Sequence, residues 1–384
     1  MNNLIRYSLC NDLKIQYFGG KISILPQKNI FSLNLKTGNV KTDIPNEQLK
    51  VLEEKADDLL FDNIKYKDAF EKFKFGITTK GVSDVNLNIS LNERSCNMVF
   101  SNGIYTTFTQ KVGRMALCKN GAIKYLDFSF SKDDLNICDV LSNTFNMINE
   151  QFKDERVVRS FSPTEVSNMI YILSPQAAAF FTHEVVGHIF EQDNWVDWKS
   201  KLDYNRAILP SCCTLVDDPT KVSYLKYGDY DDAGNKTHST TIIKDGFFNE
   251  PVTLCRSAEY SQLPMPRMSN FSLLCNPNGR SFSKMCAAYK KYIVIEEISN
   301  GGFCSSTGDF FILSAKQFYV DSYGEKHNLS PSTYSGKINE LCSNIIEVSN
   351  DIMSFIGICS KNRQNIFVRN AAPSIAVSGL SVLT

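Results

Sequence analysis

The chain has 384 residues, 43% of them hydrophobic and 21% charged, with 41 basic residues balanced by 41 acidic ones. That length exceeds one typical core and implies two domains. The zero net charge gives no sign of a phosphate-binding surface, so nucleic acid is not expected as a direct partner. No apolar run reaches the ~18 residues a membrane span needs. Met1 to Lys14 interleaves polar and charged residues with short apolar runs, so no leader is expected there. The 12 cysteines are scattered without CxxC pairs, which fits reduced thiols in a cytoplasmic protein.

From the N-terminus, period-two alternation predicts strands at residues 14–25, 31–35, 85–91, 96–110 and 122–130, with Asn102-Gly103 as a hairpin turn. Apolar spacing predicts amphipathic helices over 46–61 and 135–152. The polar stretch 157–165, with Ser162-Pro163 inside it, reads as a junction. Ile170-Tyr171-Ile172-Leu173 reads as a short buried strand. Ser174-Pro175 then starts a helix with a capping hydroxyl at N-cap and a proline at N1. That helix is expected to end at Glu191-Gln192-Asp193-Asn194. Beyond it, turn signals at 231–234, 244–246 and 276–279 punctuate short apolar runs, and a last helix over 335–355 leads to closing strands at 356–359 and 374–382. The expected fold class is α+β in two domains: a mixed α/β domain at 1–160, and a β-rich domain at 161–384 carrying the capped helix.

The chemistry concentrates in His183-Glu184-Val185-Val186-Gly187-His188, which holds two of the chain's 4 histidines. Neutral imidazole is a common zinc ligand, and an adjacent carboxylate can take a proton from activated water. The spacing is one residue longer than HExxH. On an ideal helix residues five apart lie ~140° apart, so one ion can be shared only if the helix is locally widened or bent. A distorted turn is therefore expected at Val186 to His188. Zinc in a catalytic site takes three protein ligands and keeps one position open. His238 and His327 lie in polar, turn-like contexts and are expected to be exposed. Glu191, Cys304 and Cys359 remain candidates for the third ligand, and chemistry alone does not choose among them.

Ser174-Pro175, the HExxxH segment and Glu191 resemble the signature helix of the TldD/PmbA family, the "modulator of DNA gyrase" metallopeptidases. The similarity continues in order through Asp217-Asp218, Gly228, Asp231-Asp232-Ala233-Gly234 and Lys244-Asp245-Gly246. It runs on through Leu263-Pro264-Met265-Pro266-Arg267-Met268-Ser269-Asn270, Gly301-Gly302, Thr307-Gly308-Asp309-Phe310 and Gly357-Ile358-Cys359. The resemblance covers about residue 170 to the C-terminus. It implies a zinc peptidase of the TldD type in which His183, His188 and Cys359 hold Zn²⁺ and Glu184 is the general base. Arg267 and Asn270 are the candidates for binding the substrate backbone or its carboxylate. The four acidic residues Asp217, Asp218, Asp231 and Asp232 read as structural turn residues. Val185, Ile189 and Phe190 are bulkier than the residues usual around this helix, which is expected to narrow the cleft. The resemblance further implies a homodimer, or a heterodimer with a sister chain lacking HExxxH, enclosing a lumen that admits unfolded peptides or leader peptides. Two other readings stand beside it: a catalytically silent peptide-binding partner, and a metal-binding regulator of a DNA-processing enzyme.

Overall fold

The computed structural model describes residues 5–18, 21–34, 40–41, 85–100, 103–119, 122–129, 169–221, 225–227, 229–256, 265–275, 279–361 and 364–383. Within them the chain is strand-rich, with mixed helices and mostly antiparallel sheets. The predicted helices at 46–61 and 135–152 and the junction at 157–165 lie outside the described residues.

The first sheet is antiparallel and runs in the order Val40–Lys41, Lys21–Asn34, Ile5–Phe18, Val85–Phe100, Gly103–Lys119, Ala122–Ser129. Alternation over 14–25 gives strand structure, but as two strands that pair from Phe18↔Lys21 outward. Gly19-Gly20 is the sequence signal that divides them. The second hairpin closes on Phe100↔Gly103, so Gly103 is already a strand residue, and the predicted turn residue Asn102 lies outside the described residues. Leu225–Tyr227, from the later half of the chain, adds to this sheet against Gly103–Lys119.

Two further sheets frame the candidate site. One contains, in order, Phe247–Phe248, Thr240–Lys244, Thr214–Asp217, Asn270–Leu274, Gln364–Ala372 and Met353–Lys361. The other is eight-stranded and includes Ile170–Leu173, Tyr292–Phe303 and Asp309–Val320 as neighbours. The helix Pro175–Phe181 lies between them, packed on Tyr292–Phe303 of one sheet and on Gln364–Ala372 and Met353–Lys361 of the other. This explains its all-round apolar sequence: Ala177, Ala178, Ala179 and Phe181 are all buried. Small alanines let both sheets approach closely.

The first helical stretch ends where expected: Gly187–Phe190 is its last turn, Glu191 is extended, and a separate helix, Gln192–Trp198, starts after it. One expectation is corrected. The long helix over 335–355 does not form. Thr333–Lys337 is a strand paired with Asp309–Val320, followed by a 3-10 turn, Ile338–Glu340, a short α-helix, Leu341–Asn344, and the strand Ile345–Val348. At Gly336 a Cβ would fall 2.6 Å from the Phe310 ring, so the chain approaches its neighbour strand too closely for anything larger.

Candidate metal centre

Ser174 caps the helix as expected, its hydroxyl accepting from the backbone N–H of Ala177 at 3.1 Å, with Pro175 in the first turn. The α-helix runs to Phe181 and then widens: Thr182–Val186 is π-helical, and Gly187–Phe190 tightens into a 3-10 turn. The distortion thus begins four residues earlier than expected and extends through the His pair. A π turn bonds i to i+5, which brings residues five apart above one another. The imidazole centroids of His183 and His188 consequently lie 4.8 Å apart, edge to face at 84°.

The rings are held from behind. Nδ1 of His183 donates to Oδ1 of Asn370 and Nδ1 of His188 donates to Oε2 of Glu191, both at 2.8 Å. Donation from both Nδ1 atoms turns both Nε2 atoms to the front of the site. There, Nε2 of His188 is 3.3 Å from the sulfur of Cys359 and 3.4 Å from Oε2 of Glu184. Oε1 of Glu184 is 4.0 Å from Nε2 of His183. One donor atom from each of His183, Glu184, His188 and Cys359 fits within a 4.8 Å span. Cys359 comes from the strand Met353–Lys361, an edge of its sheet.

Burial alone would push the Cys359 thiol up, but the two imidazoles beside it hold it down at about 5. Burial would likewise depress both imidazoles. The Cys359 thiolate, with Glu184, keeps His183 above its usual range; Glu191 and the thiolate do so more strongly for His188. Burial also works against an ionised Glu184, yet its hydrogen bond to His188 and the imidazole charges hold its carboxyl below the usual range. The cluster is thus arranged to carry a thiolate and a carboxylate at neutral pH. A zinc ion fits this donor set, two imidazole nitrogens and a thiolate being the chemistry of a catalytic zinc site. One orphan supports the fit independently: Nε2 of His183 is buried and makes no hydrogen bond.

Glu191 and Cys304, the other third-ligand candidates, lie outside the cluster. Glu191 stands behind His188, and Cys304 is exposed beside Ser306. His238 is exposed, as expected. His327 is partly buried and sits with Asp321 and Glu325 in a separate group, 3.3 Å from the Asp321 carboxylate. Both candidates for substrate contact are buried among protein groups. Arg267 donates Nη2 to the backbone carbonyl of Cys359 at 2.8 Å; Asn270 donates Nδ2 to the carbonyl of Asp218 at 2.7 Å and accepts from Arg369 at 2.8 Å. Val185, Ile189 and Phe190 do not narrow a cleft, because all three point into the core.

The acidic residues are structural. Asp217 accepts from the backbone N–H groups of Ser269 and Asn270, and Asp231 from those of Ala233, Asn235 and Cys255. Sequence reasoning missed Asn370, which lies 187 residues from its imidazole and carries no local signal. It also missed Lys361, whose position two residues past Cys359 on a strand was a usable clue.

Residues 167–384 match the PmbA/TldA metallopeptidase C-terminal domain. The chain is 27% identical over 268 residues to the zinc metalloprotease TldD homolog of Saccharolobus solfataricus, covering 65% of this chain and 58% of that one. It is 26% identical over 205 residues to metalloprotease PmbA of Escherichia coli O157:H7, covering 51% and 45%. The match therefore spans about half the length of these curated relatives. In fold it is similar to TldE from Thermococcus kodakarensis, with a TM-score of 0.68 over 99% of this chain and 96% of that one at 15% identity. With that domain model matched over more than half its length, the chain belongs to the PmbA/TldD metallopeptidase family.

Proposed function

We propose that the chain is a zinc-dependent peptidase of the TldD type, hydrolysing peptide bonds in unfolded peptides or leader peptides. His183, His188 and Cys359 hold the metal, and Glu184 is the general base. The observation that supports this most directly is the buried, unbonded Nε2 of His183, facing a thiolate, a second imidazole and a carboxylate within 4.8 Å. Zinc bound there would polarise the scissile carbonyl and acidify water at neutral pH.

The chain's own residues supply the rest. Glu184 is the most open of the four, its side chain 21% exposed against 1% for His183 and 11% for His188. It can therefore meet both substrate and water while its neighbours stay enclosed. Ionised at neutral pH, Glu184 accepts a proton from the attacking water and delivers it to the leaving amine. Asn370 and Glu191 keep both Nε2 atoms turned forward. Arg267 and Asn270 serve as positioning residues: Arg267 fixes the backbone of Cys359, and Asn270 joins the Asp217-Asp218 turn to Arg369.

Residues 161–384 form the metallopeptidase domain, with a separate domain at 1–160. The assembly is a cytoplasmic homodimer or a heterodimer with a sister chain, a reading supported by the likeness in fold to a TldE. No described helix is long and apolar enough to cross a membrane.

Glu184→Gln tests the mechanism. The variant should retain one zinc per chain while losing hydrolysis of an unfolded peptide by on the order of 10²–10⁴-fold; undiminished turnover overturns it. Metal analysis of wild type beside Cys359→Ala separates this proposal from the alternative of a catalytically silent peptide-binding partner, which predicts a folded, metal-free wild type.

A further inference from the structure

Cys359 poses a mechanical problem. Its strand, Met353–Lys361, pairs with Gln364–Ala372 on one side and ends the order of its sheet. Backbone hydrogen bonds from a single neighbour must hold the sulfur against two imidazoles carried by a different element. Edge strands are the least constrained part of a sheet.

Beyond its packing on the helix Pro175–Phe181, two polar side chains among the described residues tie down the end of this strand that carries the sulfur. Arg267 donates Nη2 to the carbonyl of Cys359 at 2.8 Å. Lys361, two residues on and so on the same face as Cys359, places Nζ 2.7 Å from Oε2 of Glu191 and 2.7 Å from Oδ1 of Asp193. Glu191 is fully buried, and the same Oε2 accepts from Nδ1 of His188 at 2.8 Å. Its other oxygen accepts from the backbone N–H of Met268 at 3.1 Å and lies 3.8 Å from Nε of Arg267. One carboxylate thus joins the His188 imidazole, the strand that carries the thiol, and the loop that carries Arg267.

Resting on the zinc-site reading above, we infer that Lys361 is a positioning residue for the metal centre. Its ammonium ties the Cys359 strand to the Glu191–His188 unit, so that the third ligand and the second imidazole are set by one shared ion-pair clamp. The side chains of Lys361 and Glu191 are 12% and 0% exposed, so solvent screens this contact far less than a surface ion pair. Asp193, on the first turn of Gln192–Trp198, completes the clamp and keeps Lys361 from pairing with Glu191 alone.

The test is zinc affinity of the full chain, measured by competition with a chromophoric chelator. Cobalt(II) is loaded in parallel to read the thiolate-to-metal charge-transfer band. Wild type should bind one zinc, and Cys359→Ser should lose affinity and the band. Lys361→Met should bind zinc about 10–100-fold more weakly, the range for loss of an outer-shell partner, with a weakened cobalt band in protein that remains folded. Lys361→Arg should restore most of both. Asp193→Asn, which leaves the Lys361–Glu191 contact in place, should shift affinity in the same direction by a smaller factor and tests the clamp if Lys361→Met does not fold. If wild type depends on Cys359 but Lys361→Met and Asp193→Asn both match it in affinity and band, the clamp is overturned and the zinc site stands. If wild type and Cys359→Ser bind zinc equally, the site reading itself fails.

Discussion

Gly187 sits between the π turn and the 3-10 turn, directly before His188, and its replacement by alanine sets two effects against each other. Its backbone, at φ −63° and ψ −47°, is ordinary right-handed helix, so alanine would be stabilising by roughly 0.5–1 kcal/mol on conformational grounds. Packing opposes this. A Cβ at Gly187 would lie 2.4 Å from Sδ and 2.6 Å from Cε of Met268, and 2.9 Å from Cζ of Phe271. A thioether end can swing, but Met268 is fully buried, and the Phe271 ring is packed edge-on to His183 with centroids 5.8 Å apart. Forcing a methyl into such a core costs about 1–3 kcal/mol. The net expectation, from the middle of the two ranges, is destabilisation by about 1 kcal/mol, a fall in melting midpoint of roughly 2–4 °C for a domain of this size. The displaced groups are informative: Met268 carries the N–H that holds Glu191, and Phe271 lies against His183. Zinc affinity should fall together with thermal stability. Melting curves of Gly187→Ala and wild type, recorded with and without zinc, measure both. A midpoint equal to or above wild type with unchanged zinc affinity would show that the turn has room for a side chain, and would refute the reasoning.

Asn370→Ala removes the acceptor that fixes Nδ1 of His183; zinc binding should weaken by about 10–100-fold, and the same affinity as wild type in chelator competition would mean the ring is held by packing alone. In chelator-treated protein, the Cys359 thiolate, held at about 5 by the imidazoles, should absorb in the ultraviolet above that pH and disappear below it. The difference spectrum against Cys359→Ser isolates this signal from Cys304, an exposed thiol lowered to about 6 by hydrogen bonds from Ser306 and Thr307; a Cys359 signal rising only near the ordinary thiol range would contradict the arrangement.

What could be read in advance follows the range of the forces involved. The strand Ile170–Leu173, the Ser174 cap and Pro175 depend on neighbours in sequence and are formed as expected. The need for a distorted turn also followed from local geometry, because five-residue spacing cannot chelate on a regular helix. Its extent was not legible, since Thr182–Val186 is held by contacts on both sides rather than by its own propensity. The third ligand illustrates the same limit. Cys304, Cys359 and Glu191 were equivalent by chemistry, and long-range strand order separates them by bringing residue 359 to residue 188. The helix expected over 335–355 failed because Ile338, Leu341 and Ile345 fall at helical spacing while Thr333–Lys337 bonds to a strand two dozen residues earlier, at Asp309–Leu313. Tertiary pairing overrode local pattern.

The groups behind the site also constrain how its charge is set. Glu191 and Asp193 contribute two carboxylates, and Lys361 and Arg267 two cations, so the outer network is balanced without reference to the ligands. Burial works against an ionised Glu191, yet His188, Lys361 and Arg267 hold its carboxyl down at about 2. Glu191 is therefore held ionised, and by formal count the network adds no net charge to the centre. Its effect is orientation: a fixed Nδ1 partner for His188 and a fixed height for the Cys359 strand. The net charge at the front is left to the thiolate, the ion and Glu184. Of these, Glu184 is the group that opens toward solvent, so it is where a proton can enter and leave. On the zinc-peptidase reading, setting a buried, formally neutral frame behind one partly exposed carboxylate lets a base cycle its proton while the imidazoles and thiolate keep their geometry.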